Sequence, residues 1–495
     1  MELLRTLAEH ALNFIQLIRG VARRCPSSHA LVTDEQTFSF LEFWRNIASA
    51  GQFYLDYGVI PGRHVLLVLP NGPDFLHFHF GALKIGAISI PVRFEYTGWE
   101  VGRIAANCEP EVVISTSDWI ERNRALLHLP GCTRILSVEE IRPQLRSGTD
   151  WVFSLRSQGI ASINYSYFGD GYPRGAMLTH ANHIYAATGY ARHQGFQASD
   201  RLLIILPMCH VYALSGCVNA GLVRGAALVL SRHHMPRGIF SDIERHRVTI
   251  LSSVPGMFEC LSDYGKKDRY DLSSLRRLVT GGAYMPAGRQ RVLEQALGAE
   301  MVQGYGLTEC LPVICNPPGD GNRHGTLGVP GRRDITIRIM GAAARPLPPG
   351  EVGEIQIRST TTMAGYYRLP QDTKAIFDGD WLRTGDLGSL DTEGYLHFCG
   401  MTKPIVNLNG NKVDPQEIRE AILGHPAVAE VEVTVERSKH SDHTGEIRLC
   451  ASITCKPQRT VTDSGIRKFC MERLAVFKIP HIRMLHNSAN SESGD

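Results

Sequence analysis

Six short runs of nearly continuous apolar residues constrain the fold of this chain more than any other feature. They occupy residues 64–70, 111–116, 201–207, 226–231, 248–255 and 275–282. Strands that are covered on both faces have this character, because neither face meets water. Helical patterns separate several of the runs, at 73–86, 238–246 and 287–297. The alternation predicts helices layered on a largely parallel sheet, which is the α/β class.

The character of the sequence changes near residue 340. A Pro/Gly-rich turn at 345–353 predicts a hairpin, and 394–400 predicts a further strand. Beyond residue 400 the pattern is strand, turn, helix and strand. With 495 residues, the chain is too long for one compact core. We therefore predict an N-terminal domain at 1–400 and a small, mobile C-terminal domain at 401–495, with a linker near Lys403 and Pro404.

The composition disfavours several classes of function. The formal net charge is only +3, and Lys and Arg are scattered, whereas a nucleic-acid binder usually concentrates them in one stripe. We therefore expect no nucleic-acid partner. The twelve cysteines include no Cys-x-x-Cys pair, so zinc and redox motifs are disfavoured. Widely spaced cysteines without a secretion signal indicate the reducing cytoplasm.

The first 26 residues show helical spacing of apolar side chains. The positions on one face are Leu4, Leu7, Ala11, Phe14, Ile15 and Ile18. Charged residues interrupt the apolar stretch that a signal peptide would need. An amphipathic helix packed on the domain is the favoured interpretation, and a helix on a membrane surface is the alternative. No apolar run reaches ~18 residues, so we expect no membrane span.

Eight segments occur in an order that is typical of one enzyme superfamily. They are GALKIGAISIPV (81–92), LPMCHVYALSG (206–216), LVTGGAYMP (278–286), VQGYGLTE (302–309), GTLGVPG (325–331), GEVGEIQIRSTTTMAGYY (350–367), GDWLRTGDLG (379–388) and NGNKVDPQEIRE (409–420). Together they resemble the adenylate-forming superfamily of acyl-CoA synthetases, luciferases and peptide-synthetase adenylation domains. The resemblance implies a large N-terminal domain of layered mixed sheets and helices with a β-barrel-like subdomain, followed by a small α+β C-terminal domain.

The resemblance also implies a two-step reaction. A carboxylate attacks the α-phosphate of ATP with Mg²⁺ bound, which gives an acyl-adenylate and pyrophosphate. A thiol or an amine then displaces AMP. The first step requires neutralisation of phosphate charge and alignment of two anions that repel each other. The implied partners are a small carboxylic acid and an acceptor, which is an amine, an amino acid or coenzyme A.

The segment GYGLTE is expected to hold the nucleotide. By the resemblance, Gly304 lets the backbone approach it, Tyr305 stacks on adenine and Gly306 borders the acid pocket. Thr308 would contact the α-phosphate, and Glu309 would bind magnesium, a hard cation that favours carboxylate oxygen. A plain glycine turn before a helix is the alternative interpretation.

Two further glycine-flanked segments extend this site. In TGGA, Gly281 is assigned to the substrate pocket, whereas Gly282 and Ala283 would line the adenine. In RTGDLG, Asp386 resembles the residue that holds the ribose hydroxyls, since a carboxylate accepts two hydrogen bonds. A tight strand-end turn and a turn-capping Asp are the corresponding structural alternatives.

The segment MCHVYALSG is expected to border the acid. His210 matches the histidine that precedes the acyl pocket in the superfamily, and Tyr212 would be a pocket wall. A buried core histidine is the alternative for His210. Amino-acid-activating relatives usually carry an Asp here for the α-ammonium group, but residues 206–216 contain no acidic side chain. We therefore expect an acid without an α-amine, of medium size and largely apolar.

The phosphate loop at 164–178 departs from the family pattern. Tyr167, Phe168 and Asp170 replace small residues, and Ser166 keeps a hydroxyl. Asp170 is unexpected, because a carboxylate beside a polyphosphate repels it unless magnesium lies between them. A modified working loop is favoured over a loop that has lost its ATP role.

Three glycines and one cation support that interpretation. Gly169, Gly171 and Gly175 would form a nest of backbone N–H groups for phosphate. Arg174 replaces the usual lysine and can grip phosphate in a bidentate manner.

The C-terminal region departs further. Met401 replaces an arginine, Asn407 replaces a common lysine, and no lysine follows Lys478, although the superfamily places a catalytic one there. Either that lysine is missing, or Lys478 or another cation takes its role. Lys478 as a structural or acceptor-side residue is the other possibility. We assign it a catalytic role beside Thr308, Glu309 and His210.

The leading hypothesis is an ATP-dependent ligase that transfers an activated acyl group to an amine, as in enzymes related to coronafacate ligase. An acyl-CoA synthetase and an acyl-AMP ligase that feeds a carrier protein are the alternatives within the class. A catalytically impaired homologue that binds acyl-AMP is the alternative outside it.

Overall fold

A computed structural model describes residues 13–131, 133–154, 157–167, 170–312, 314–342, 344–402, 406–408, 411–437 and 447–485. Four features predicted from sequence lie outside these ranges. They are the start of the N-terminal helix (1–12), Phe168 and Gly169 of the phosphate loop, the linker at Lys403 and Pro404, and the polar tail at 487–495.

The described residues form 14 α-helices. They are α1 (Phe14–Arg24), α2 (Phe40–Asp56), α3 (Pro73–Lys84), α4 (Gly98–Cys108), α5 (Ser117–Asn123), α6 (Val138–Ile141), α7 (His180–His193), α8 (Ala220–Arg224), α9 (Pro236–His246), α10 (Pro255–Ser262), α11 (Ala287–Leu297), α12 (Pro370–Ile376), α13 (Pro415–Leu423) and α14 (Asp463–Arg473). A π-helical turn, Tyr212–Asn219, leads into α8. The three helices predicted from sequence correspond to α3, α9 and α11.

The first sheet has nine strands. In chain order they are β1 (His29–Val32), β2 (Thr37–Ser39), β9 (Arg201–Ile204), β10 (Ala227–Leu230), β11 (Ile250–Ser253), β12 (Arg277–Thr280), β13 (Glu300–Tyr305), β14 (Ile314–Cys315) and β15 (Val329–Pro330). Their spatial order is 15-14-13-12-11-9-10-1-2, and the strands from β13 to β1 are mutually parallel. The strands predicted within 201–282 are therefore confirmed as a parallel core.

The second sheet has six strands. They are β3 (His64–Leu67), β4 (Ile88–Pro91), β5 (Val112–Ser115), β6 (Arg134–Ser137), β7 (Ile160–Tyr167) and β8 (Pro173–Thr179), in the order 6-5-3-4-7-8. Only the β7–β8 pair is antiparallel, and it carries the segment predicted as the phosphate loop. The loop therefore connects two paired strands instead of leading from a strand into a helix.

The third sheet is antiparallel and contains the hairpin predicted near residue 340. Its strands are β16 (Thr336–Met340), β17 (Gly353–Arg358), β18 (Phe377–Asp378), β19 (Trp381–Leu390) and β20 (Leu396–Met401). With the two mixed sheets, it confirms the predicted fold class.

Residues 406–485 form the C-terminal segment. Its strands are β21 (Val406–Leu408), β22 (Asn411–Val413), β23 (Val428–Arg437), β24 (Ile447–Cys455) and β25 (His481–Leu485). The last three make one sheet, against which α13 and α14 pack. The fully buried apolar residues of this core all belong to the segment itself, for example Ile418, Ile453 and Ile466. The segment thus has a core of its own.

The N-terminal helix packs on the domain over its described part. Asn13 caps α1 in a capping box with Gln16, and Phe14, Ile15 and Ile18 are fully buried. Burial of the apolar face in protein confirms the packed interpretation over the membrane-surface one. Across the described ranges, no helix is long and apolar enough to cross a membrane.

Candidate active site

Two parallel strands bring the predicted nucleotide motifs together. In the pairing of β12 and β13, Thr280 lies opposite Gln303. The segments that follow, 281–284 and 304–308, therefore leave the same edge of the sheet side by side. Ligands of open α/β sheets bind at this carboxyl edge.

These segments border a cavity of about 240 Å³, which we call the main cavity because it brings together most of the predicted site residues. It lies between the first and third sheets, and its lining residues are Tyr190, His210, Val211, Tyr212, Gly281, Gly282, Ala283, Tyr284, Gly304, Tyr305, Gly306, Leu307, Thr308, Pro312, Leu327, Asp386, Phe398 and Met401. Among the described residues that line it, Asp386 is the only carboxylate. The wall is otherwise mostly aromatic, aliphatic and glycine.

Tyr305 and Asp386 form one corner of this cavity. The Tyr305 hydroxyl donates to Asp386 Oδ2 at 2.5 Å, and the Asp386 N–H donates to the Thr384 hydroxyl at 3.0 Å. Burial, reinforced by the Asp386 charge, raises the pKa of Tyr305. The phenol therefore stays protonated and donates to Asp386, which fixes the position of the carboxylate. A fixed carboxylate that accepts hydrogen bonds is suited to binding the two hydroxyls of a ribose.

Tyr212 and Gly281 shape the opposite end. The Tyr212 hydroxyl donates to the carbonyl of Val279 at 2.9 Å, which fixes the ring against the end of β12. A Cβ at Gly281 would lie 3.2 Å from that ring. Glycine at 281 therefore lets Tyr212 approach the strand, and the two residues together form one wall.

Glu309 lies behind Thr308 and is almost fully buried, with 3% of its surface exposed. Its Oε1 accepts from the Ser166 hydroxyl at 2.5 Å and the Tyr366 hydroxyl at 3.0 Å. Among the ion pairs that the described residues form, none includes Glu309. A buried carboxylate held by hydroxyls but paired with no cationic side chain suits a hard metal ion such as Mg²⁺.

A second, smaller cavity of about 70 Å³ adjoins the main one and shares His210 and Thr308 with it. Ser166 and Tyr167 of strand β7 line it, together with Arg93. This cavity lies on the phosphate-loop side of the site. It therefore connects the predicted acid and nucleotide pocket with the altered loop.

Arg174 lies on the outer side of this loop. Its guanidinium donates to Asp372 Oδ1 at 2.8 Å and to Asp170 Oδ2 at 2.6 Å. The unexpected Asp170 is thus an ion-pair partner of Arg174. The pair lessens the repulsion that an isolated carboxylate would exert on a polyphosphate. In this arrangement Arg174, which was predicted to bind phosphate, is instead bound to two carboxylates.

Gly171 contacts the C-terminal segment. Its N–H donates to Asp414 Oδ2 at 2.9 Å, and its φ of 78° lies in the left-handed region. In this arrangement the N–H that was predicted to join a phosphate nest is bound to a carboxylate. Gly175 lies within β8, opposite Tyr165.

A third cavity, of about 290 Å³, reaches His210 from another direction. Arg93, Glu95, His234 and Asn411 are among its lining residues. Arg93 Nη1 donates to Asn411 Oδ1 at 2.5 Å, so one wall comes from the C-terminal segment. We call this space the acceptor cavity, because it leads to the junction of the other two.

Lys478 lies outside these cavities. Its Nζ donates to Glu100 Oε1 at 2.6 Å and to Glu417 Oε2 at 2.7 Å, and all three residues are fully buried. The structure therefore places Lys478 in an ion cluster, whereas it places Thr308, Glu309 and His210 around the site. The catalytic role assigned to Lys478 stays a prediction.

Four residues at these cavities and contacts were not predicted from the sequence, namely Arg93, Glu95, Asn411 and Glu100. A signal existed for the first two, because they follow directly on β4, at the carboxyl end of a parallel strand. Glu100 had one as well, because Thr97 and Glu100 have the Thr-x-x-Glu spacing of a helix capping box, whereas no local signal marked Asn411. Their roles depend on the contact between the C-terminal segment and α4.

The fold and the three joined cavities define an adenylate-forming enzyme. The chain belongs to the AMP-binding enzyme family, whose match spans residues 18–367. It is similar to a feruloyl-CoA synthase of Amycolatopsis sp., with 28% identity over 467 residues that cover 93% of this chain and 92% of the relative. It is an AMP-forming ligase.

Solved structures share the fold over nearly the whole length. The amide bond synthetase McbA from Marinactinospora thermotolerans has a TM-score of 0.84 at 22% identity, covering 96% of each chain. The o-succinylbenzoate CoA synthetase of Bacillus subtilis bound to the product analogue OSB-NCoA gives 0.84 at 23% identity, covering 95% of each chain. The same synthetase in complex with AMP gives 0.71, covering 95% of this chain and 94% of that one.

Proposed function

We propose that this enzyme activates a medium-sized, largely apolar carboxylic acid without an α-amine as its acyl-adenylate and transfers the acyl group to an amine. The observation that carries the proposal is that three cavities meet at His210. The acid carboxyl must contact the α-phosphate in the first step and the acceptor in the second. A junction of three cavities allows both contacts without moving the acid.

The acid binds at the Tyr212 end of the main cavity. An α-ammonium group would need a carboxylate partner there, but the only carboxylate among the described lining residues is Asp386, which is bonded to Tyr305 at the other end. The aromatic and aliphatic wall favours an apolar acid. Aromatic acids are the first class to test, since the name of the Amycolatopsis relative indicates one.

In the first step, a carboxylate oxygen forms a bond to the α-phosphorus of ATP, and the bond from that phosphorus to the pyrophosphate oxygen breaks. Tyr305 and Asp386 orient the adenosine, and Thr308 donates to the α-phosphate. Glu309 would hold Mg²⁺, which when bound neutralises charge on the phosphates. Tyr305, Asp386 and Thr308 together align ATP with the carboxylate of the acid, two anions that would otherwise repel each other.

In the second step, the amine nitrogen bonds to the acyl carbon, and the bond from that carbon to the AMP oxygen breaks. The amine enters through the acceptor cavity as an ammonium ion, loses one proton to solvent to become the nucleophile, and loses a second proton as the amide forms. Glu95, whose side chain is half exposed, lines this cavity 3.6 Å from Arg93 and is the carboxylate proposed to attract an ammonium group. His210, where the cavities meet, is the group proposed to receive the second proton.

A thiol acceptor is the second candidate. It is favoured by the name of the curated relative, a feruloyl-CoA synthase. In that case the acceptor cavity would hold the thiol-bearing arm of coenzyme A. The cytoplasm is the proposed compartment, because none of the eleven described cysteines forms a disulfide.

Product analysis distinguishes the candidates. The protein is incubated with ATP, Mg²⁺, a library of acids rich in aromatic ones, and a mixture of amines, amino acids and coenzyme A, and the products are identified by mass spectrometry. An amide with AMP and pyrophosphate supports the proposal, whereas a thioester supports the second candidate. Tight acyl-AMP binding without pyrophosphate release from any acid would indicate an impaired homologue.

A further inference from the structure

The altered phosphate loop forms part of a contact surface with the C-terminal segment. On one side of this surface lie helix α4 and the loop residues 167 and 170–174. On the other lie α13 and the turn at 475–478. Two of the contacts described below, those of Tyr167 and Gly171, join the altered loop to the C-terminal segment.

Lys478 is the centre of the first group of contacts. Its ammonium bridges Glu100 of α4 and Glu417 of α13, at 2.6 and 2.7 Å. Burial alone would lower the pKa of Lys478, but the facing carboxylates raise it above its ordinary value, so the lysine stays charged. A buried charge of this kind is stable only while both segments are in contact.

Glu100 is suited to this role by its own helix. Its Oε2 accepts the N–H of Thr97, the N-cap of α4, at 2.9 Å, which completes a capping box, and it also accepts the Ala475 N–H at 3.0 Å. The Glu100 carboxylate thus completes the N-terminal cap of α4. It also accepts hydrogen bonds from two donors of the C-terminal segment, the Ala475 N–H and the Lys478 ammonium. Its orientation is fixed before docking.

Tyr167 connects this cluster to the phosphate loop. Lys478 Nζ lies 5.0 Å from the Tyr167 ring and 4.4 Å from the Tyr96 ring, within the range of cation–π attraction. Both rings also line the small cavity beside Thr308. Tyr167, which replaces a small residue, therefore lies between Lys478 and the small cavity, so the position of Lys478 affects the position of this ring.

Gly171 anchors the second group of contacts. Its N–H donates to Asp414, and its carbonyl accepts from Arg103 Nη2 at 2.6 Å. The same nitrogen of Arg103 lies 3.2 Å from Glu420 Oε2. A Cβ on Gly171 would lie 2.7 Å from Glu420, so the loop and α13 are in close contact.

Docking also completes the acceptor cavity. Asp414 follows β22 directly, and Asn411 at the start of that strand contacts Arg93 in the cavity wall. A fixed Asp414 thus fixes Asn411. We propose that Lys478 is a positioning residue for acyl transfer, which, through Glu100 and Tyr167, ties the C-terminal segment to the altered phosphate loop and keeps Asn411 in the acceptor cavity.

This inference rests on the proposed two-step function, and it assigns Lys478 to the second step. Loss of the tie leaves the acid and nucleotide contacts intact, because Thr308, Tyr305 and Asp386 belong to the N-terminal region. Its main effect falls on the wall that Asn411 provides. A lysine that acted directly on the α-phosphate would instead be needed for the first step.

The test separates the two steps in Lys478→Met and Glu100→Gln, of which the second keeps the shape and the capping acceptor of the glutamate. Adenylation is measured by ATP–pyrophosphate exchange, and transfer by the reaction of preformed acyl-adenylate with the acceptor. Both variants should lose transfer about tenfold or more and raise the acceptor KM, with exchange within about twofold of wild type. Arg483→Met is the matched control, since its ion pair with Glu436 lies on the surface of the same segment.

Equal loss of both steps would place Lys478 in adenylation, and unchanged transfer in both variants would make it merely structural; either result overturns the proposal. Hydrogen exchange of the wild-type protein and the variants provides an arm that needs no substrate. The amide of Gly171 and those of α4 should lose protection in Lys478→Met and Glu100→Gln but not in Arg483→Met. Unchanged protection would overturn the tie itself. If the wild-type protein shows no ATP–pyrophosphate exchange with any acid, the proposed function fails. The hydrogen-exchange measurement then still shows whether Lys478 ties the C-terminal segment to the phosphate loop.

Discussion

Glu309 shows how one side chain serves two purposes in this site. Its Oε1 accepts hydrogen bonds from the hydroxyls of Ser166 and Tyr366, which connects strand β7 to the loop between β17 and α12. Its charge has no cationic side-chain partner among the described residues. Glu309→Gln keeps an acceptor for both hydroxyls but removes the charge. We expect ATP–pyrophosphate exchange to fall about 10²-fold or more with little change in thermal stability.

A magnesium titration serves as the control for that variant. The wild type should saturate with Mg²⁺, and Glu309→Gln should need more metal or fail to saturate. Exchange that is unchanged at every magnesium concentration would show that Glu309 has no metal role.

Asp386 and Tyr305 allow a second test at the scale of the residue. Asp386→Ala removes the acceptor proposed for the ribose hydroxyls, and it should raise the KM for ATP by about tenfold to a hundredfold. Tyr305→Phe is the matched variant, because it removes only the donor that faces Asp386 and keeps the ring. Its effect on the KM for ATP should be several-fold smaller, and an equal effect in steady-state kinetics would contradict the ribose assignment.

At the scale of the element, helices α3 and α7 carry four buried histidines. Burial lowers the pKa of His77 and His183 to about 4 and that of His79 and His180 to about 3. Because the unfolded chain binds these protons near pH 6.5 and the folded chain does not, stability is lost as pH falls from about 6.5 towards 4. Each such histidine adds up to about 1.4 kcal/mol per pH unit to this slope.

Urea unfolding at pH 7, 6 and 5 measures this loss. The variant His79→Asn removes the titrating group but keeps a polar partner for Ser89, which lies 2.8 Å from the histidine Nδ1. Its free energy of unfolding should fall less steeply with acid than that of the wild type. Identical slopes would mean that His79 does not contribute to the acid sensitivity.

The elements also show what the sequence could and could not predict. The apolar runs predicted the parallel strands, because a strand buried on both faces must be apolar over its length. Short strands such as Ile314–Cys315 escaped prediction, since two residues carry no periodicity. The order of strands in each sheet depends on pairing between distant segments, which no local pattern contains.

The candidate site divides in the same way. Glycine-containing motifs predicted Tyr305 and Thr308 at the end of β13 and Asp386 within β19, because their chemistry and spacing are local. The contact between Lys478 and Glu100 was not predictable, since it requires the docked C-terminal segment and joins residues far apart in the chain. Asp170 and Arg174, by contrast, are only four residues apart, so a local pattern could have predicted their ion pair.

Gly171 provides a test of this docking at the scale of one turn. Ala at this position would be strained by the φ of 78°, and its Cβ would come within 2.7 Å of the Glu420 carboxylate. Gly171→Ala should therefore slow acyl transfer several-fold more than adenylation. Gly58→Ala, at a similar φ of 81° with open space around it, controls for backbone strain alone, and an equal loss of transfer in both variants would contradict the docking explanation.

At the scale of the whole molecule, the C-terminal segment has a separate core and is held to the rest by a polar surface. We therefore expect a broad-specificity protease to cut first between residues 402 and 411, where the linker was predicted, and to leave two resistant fragments. Trypsin is less suitable, because Pro404 follows Lys403. Intact-mass analysis of a time course locates the first cut.

The two-domain division predicts one early cut in this interval, faster in Lys478→Met than in Arg483→Met, because only the first variant loses contacts between the two regions. Early cuts spread through 411–485 would show that the segment depends on the N-terminal region for its fold.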